Sequence, residues 1–191
     1  MLDPRFALLG AFLSLLGNSA YAVQTARGVV RPNRVSWFLW GAIPLIAFMT
    51  QYSEGVGLVA VPTLAVGIGP LLVFVASFVN RDSYWRLTRF DICCGVLAVV
   101  AVVYWRVLDN PEVAIWVSIV ADLISGAPTI RKAWREPTTE RAFPYVLASL
   151  NGGITLLCVQ KWTVMHFAFP LYLMVLAIML TTIVTVRRAR L

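Results

Sequence analysis

RPNRVSWFLW, Arg31 to Trp40, sets two arginines and a proline directly before an almost unbroken apolar and aromatic run. A cousin of it recurs as REPTTERAFPYVL, Arg135 to Leu147, and in both places the basic joint separates long apolar segments. Laying Val23-Gln24 on Pro128-Thr129 gives an offset of 105 residues, which also brings Arg31-Pro32 onto Glu136-Pro137 and Arg27 onto Lys132. Phe38 to Trp40 then fall opposite Tyr145 to Leu147 at an offset of 107, and Pro62 meets Pro170 at 108. The joint thus marks an internal repeat.

What the repeat is made of follows from composition. Of 191 residues, 60% are hydrophobic and 13% charged, with a mean hydropathy of +0.80, beyond what an ordinary soluble domain carries. The net charge of +7 points away from nucleic acid, because the basic residues sit in short loops between apolar runs. Cys93, Cys94 and Cys158 fall inside those runs without metal-ligand spacing and read as small buried thiols. RFALLGAFLSLLGNSAYA near the N-terminus mimics a secretory signal, but the repeat needs this segment as its first helix.

A bilayer core asks for about 20 mostly apolar residues per spanning helix. Seven segments meet this: Phe6–Ala26, Val35–Gln51, Leu58–Val79, Ile92–Val107, Val113–Ala133, Phe143–Val159 and His166–Val186. The expected fold is an all-α integral membrane protein. Two parallel three-helix repeats, 6–79 and 113–191, are joined by a linker, 80–112, that carries the fourth helix. Thirteen of the Lys and Arg residues fall in one set of loops, at 27, 31, 34, 81, 86, 89, 131, 132, 135, 141, 187, 188 and 190. Arg5, Arg106 and Lys161 make up the other set. That asymmetry puts the N-terminus outside and the C-terminus in the cytoplasm of a plasma membrane. The lipid bilayer is then the first partner, with anionic headgroups facing the arginines of RPNR; a homo-oligomer is compatible with the pattern.

Polar residues at bilayer depth are the informative ones, since each is costly unless paired or facing a cavity. Asp122 lies roughly 15 Å into the fifth helix at 1.5 Å per residue, and Asn18 and Asn151 reach similar depth. With Thr155 they form either a solute site between the repeats or hydrogen-bonded glue between helices. Asp122 either carries a proton through the cycle or simply hydrogen-bonds Asn18 or a solute. Pro44, Pro62, Pro70, Pro128, Pro144 and Pro170 each remove a helix hydrogen bond, as static kinks or as hinges beside the basic joints. Trp40 reads as a pocket wall, whereas Trp37, Trp105 and Trp134 read as interfacial anchors. Gly67-x-Gly69 reads as a close helix contact. One histidine, His166, and no Cys-His or Ser-His constellation leave an enzyme without machinery, and no metal or cofactor is called for. A retinal protein would need a lysine in the seventh helix, which has none.

The 3+1+3 arrangement, the Pro128-Thr129 pair closing the fifth helix and the segment LASLNGG, Leu147 to Gly153, resemble the PQ-loop superfamily, and within it the SWEET and SemiSWEET sugar transporters. The resemblance spans nearly the whole chain on short motifs. It implies alternating access of a small polar solute, of sugar or amino-acid type, to a site between the repeats, by facilitated diffusion. Carried over position by position, it adds Phe48 to Asn151 and Thr155 as solute contacts, beside Asn18, Trp40 and Asp122 read from depth and residue type. It implies Val23, Gln24, Trp37, Pro128, Thr129 and Pro144 as gating or hinge positions. Phe48 and Thr155 stand where the sugar transporters place tryptophans, and Val23 and Trp37 where they place prolines. Ser149 and Asn151 precede Gly152-Gly153 where the cystine-exporter type has a carboxylate. A second reading, a non-transporting membrane receptor on the same fold, stays open.

Overall fold

The computed structural model describes residues 2–3, 5–53, 61–80, 86–107, 111–159 and 162–191. These form seven α-helices and no strand: α1 Phe6–Ala26, α2 Arg34–Ser53, α3 Val61–Ala76, α4 Arg89–Val107, α5 Pro111–Arg135, α6 Phe143–Cys158 and α7 Val164–Arg188. A 3-10 turn, Pro137–Thr139, lies between α5 and α6. The expected start of the third helix at Leu58 lies outside the described residues, as do the loop residues Glu54, Arg81, Asp82, Asp109 and Lys161. By length and composition, two of the described helices suffice to cross a membrane, Phe6–Ala26 and His166–Arg188; Thr63–Ala76 and Phe143–Cys158 are apolar but shorter.

Local chemistry sets several helix ends. Gly28, at φ 76°, ends α1 in the left-handed region, and the N–H of Val29 reaches back to the carbonyl of Gln24 at 2.9 Å. Asn33 caps α2, its side-chain oxygen accepting from the N–H groups of Val35 and Ser36 at 3.1 and 3.3 Å. Thr88 and Asp91 cap α4 reciprocally, at 2.6 and 3.3 Å. Pro44, Pro70, Pro128 and Pro170 lie inside helices. Pro144 instead occupies the first turn of α6, where a missing N–H costs nothing, so the kink expected there does not form.

The helices close into a ring. Among the described residues α1 packs on α3, α3 on α2, α2 on α5, α5 on α7, α7 on α6, and α6 back on α1. Helix α4 stands outside the ring against α5 and α2. Small residues let the backbones approach at most seams. A Cβ on Gly10 would lie 2.4 Å from Asn151 Oδ1, one on Gly69 2.7 Å from Asn18 Nδ2, and one on Gly152 2.8 Å from Met174 Cβ. Gly67 sits against Leu45 in the same way, so Gly67-x-Gly69 is the helix contact its sequence suggested.

Large apolar side chains are exposed, and polar ones share the apolar interior. Phe12, Leu16, Val96, Val100, Val103 and Ile178 are among the exposed side chains, while Asn18, Thr25, Ser36, Ser125, Lys132 and Glu140 are buried. Ser36 Oγ donates to the carbonyl of Ser125 at 2.6 Å, tying α2 to α5. Cys94 and Cys158 are buried thiols as expected, but Cys93 is exposed because it faces out from α4.

Candidate functional site

All six ring helices line one cavity of about 110 Å³, space for several waters or one small solute. Its polar side chains are Ser14 and Asn18 from α1, Asp122 from α5 and Asn151 from α6; Trp37, Trp40, Tyr145 and Phe169 supply aromatic wall.

Asp122 is 3% exposed and accepts a hydrogen bond from Tyr172 Oη at 2.8 Å. Its partner is therefore the α7 hydroxyl and not Asn18, as the sequence suggested. Asn18 Nδ2 instead donates to the carbonyl of Ser14 at 2.8 Å, one turn back on its own helix. The indole of Trp40 lies against Gly126, one turn after Asp122, and its buried N–H faces the Asp122 carboxylate without reaching full hydrogen-bond geometry. Trp37 corrects the sequence expectation: it is no interfacial anchor but a cavity wall, 2% exposed, stacked on Tyr21 at 4.8 Å and edge-on to Trp40 at 5.6 Å. A tryptophan beside arginines reads as interfacial only until the helix turns it inward. Trp134 does sit exposed, under the guanidinium of Arg187.

Two expected solute contacts stay outside the cavity. Phe48 is half-buried but not in its lining, and Thr155 Oγ1 donates to the carbonyl of Asn151 at 2.8 Å along α6. Of the hinge positions, Trp37 and Pro144 line the cavity, Pro128 and Thr129 are buried beside it on α5, and Gln24 keeps a buried side-chain oxygen without a hydrogen bond among the described residues. Val23 points away, 49% exposed on the outer face of an unbroken helix, so no hinge action is built around its side chain.

The end of the cavity near the basic joints is closed by a cluster the sequence reading missed. Lys132, at the end of α5, and Glu140, just past the 3-10 turn, form a fully buried ion pair. Tyr21 of α1 and Tyr145 of α6 both donate to the second Glu140 oxygen, at 2.6 and 3.1 Å. Lys132 also donates to the carbonyl of Arg31, and the Arg31 N–H donates to the carbonyl of Thr139 at 3.0 Å. Arg188 closes the set by donating to the Glu140 carbonyl at 2.9 Å. Lys132, counted among the lipid-facing loop cations, is thus an internal cation bridging the two joints. The available signal was a Lys and a Glu flanking the PTT turn, with a tyrosine five residues on.

No family model matches the chain, and no curated protein or solved structure matches it either.

Proposed function

We propose that the chain is a multi-pass membrane transporter of a small polar solute. It crosses the bilayer seven times with the N-terminus outside, and works by rocking of α1–α3 against α5–α7 about the central cavity, α4 serving as the linker. The observation that carries this is the ring. Its seams are unchanged when α1, α2 and α3 are exchanged for α5, α6 and α7: α1 on α3 becomes α5 on α7, α3 on α2 becomes α7 on α6, and α1 on α6 becomes α5 on α2. An internal pseudo-two-fold of this kind supports two parallel repeats meeting at a shared site, and the cavity, an apolar wall set with Ser14, Asn18, Asp122 and Asn151, lies where all six helices meet. The apolar exterior and the thirteen-to-three bias of basic residues support the topology. A PQ-loop, SWEET-like relationship and a non-enzymatic role are part of the same proposal.

The Lys132–Glu140 cluster is the inner gate in this scheme, since it fastens Tyr21 and Arg31 of one unit to the other. The test is flux of labelled sugars, amino acids and amino alcohols into proteoliposomes. Saturable uptake beyond that of empty vesicles is expected, and its absence across the panel would overturn transport. The buried gate pair also favours a second reading, a permanently locked receptor, which predicts saturable binding with no flux.

A further inference from the structure

We infer that the solute of the central cavity carries a positively charged nitrogen together with a hydrogen-bond acceptor a few bonds away, as an amino alcohol does. This rests on the cavity being the site of the protein proposed above and names the substrate class. Asp122 is the one charged residue of the lining among the described residues, and its neighbours there, the Tyr172 hydroxyl and the Trp40 indole, are neutral. A carboxylate buried without a basic neighbour calls for a cation to occupy the space beside it.

The surrounding wall suits a cation. Pro44 and Pro70 supply no N–H to the carbonyls of Trp40 and Val66, four residues earlier on α2 and α3, and all four residues line the cavity. Aromatic rings of Trp37, Trp40 and Tyr145 add faces that attract a cation. A neutral polyol would leave the carboxylate uncompensated, and an anion would be repelled. The acceptor on the solute is called for separately, by the indole N–H of Trp37. It is buried in the wall without a hydrogen bond among the described residues, and a hydroxyl oxygen reaching it would satisfy a donor that is otherwise orphaned.

The experiment is titration of ethanolamine, choline, ethylene glycol and glucose into the full-length protein in lipid nanodiscs, followed by tryptophan fluorescence and calorimetry, with flux of the same probes measured separately. Ethanolamine and ethylene glycol have similar size and differ by the charge, so the pair reads charge selectivity on the wild-type protein, whatever any variant does. The expected result is saturable binding of ethanolamine and choline, with ethylene glycol and glucose weaker on the order of 10- to 100-fold. Asp122→Asn should erase that preference, and Asp122→Glu should keep it. Equal or stronger binding of the neutral probes, or an ammonium preference that survives Asp122→Asn, overturns the inference. Flux of glucose without ammonium preference would leave transport standing and sink the cationic solute; ammonium binding without any flux would do the reverse.

Discussion

Replacing Lys132 with methionine keeps an unbranched chain of similar length but strips the cation from a fully buried pair. Removing one partner of such a pair costs about 3–5 kcal/mol, because the other charge stays buried. Glu140 is not left bare here. Tyr21 and Tyr145 still donate to it at 2.6 and 3.1 Å, and hydrogen bonds to a charged group contribute about 1.5–3 kcal/mol each. The lower end of the range therefore applies, about 3 kcal/mol, and at about 2–4 °C per kcal/mol for a chain of this size the melting temperature should fall by about 6–12 °C. The assay is thermal unfolding of the detergent-solubilised protein, followed by tryptophan fluorescence. Adding Glu140→Gln removes the stranded charge while keeping an acceptor for both tyrosines. The double variant should recover about half of the Lys132→Met loss, about 1–2 kcal/mol, and so fall well short of the sum of the two singles in a double-mutant cycle. A melting point for Lys132→Met within about 2 °C of the parent, or a double variant that loses the sum of the singles, would refute the buried-pair argument.

Reporter fusions at Arg31, Asp82, Glu136 and the C-terminus should read cytoplasmic, and those at Glu54, Asp109 and Lys161 external; an external signal at Glu136 would remove both the orientation and the repeat. Cysteines placed beside Trp37 and Pro144 should change their thiol-labelling rates together when a transported solute is added, and labelling indifferent to every solute would favour the static reading. Gly152→Val drives a branched side chain into the Cβ and Cα of Met174, 2.8 and 3.1 Å from where its own Cβ must sit. An overpacking loss of about 1–3 kcal/mol should appear as a lower melting temperature, and a neutral outcome would mean that α6 and α7 have room to part.

Helix existence was legible because apolar run length carries it: the first helix begins at Phe6 and ends at Ala26 as read, and the others differ by a few residues at caps such as Asn33 and Thr88. The cavity was half legible. Asn18, Asp122 and Asn151 announce themselves as polar residues in apolar runs, and all three reach the lining. Tyr172 does not announce itself, since a tyrosine in an apolar helix is unremarkable until its hydroxyl is seen on Asp122. Phe48 and Thr155 lie off the lining, because which face a helical residue presents depends on its rotation against its neighbours. Lys132 was misread because loop cations are ordinarily solvated. Only the return of the 3-10 turn brings Glu140 over it, a pairing set by tertiary structure and not by local spacing.

The ring also fixes an order of events during synthesis. Its closing seam joins α1 to α6, made more than a hundred residues later, whose Pro144 and Asn151 cover Gly17 and Gly10. Ribosomes extend chains at about 5–20 residues per second, so α1 waits on the order of 6–24 s for that partner. Until then α3 is its principal neighbour among the described residues. The glycine-lined stripe of α1 is in this interval an unpaired surface suited to the wrong helix, including α6 of a neighbouring chain. Slowing translation between α3 and α6 should lengthen that exposure, and misassembled pairs, not unfolded monomers, are the by-product to look for.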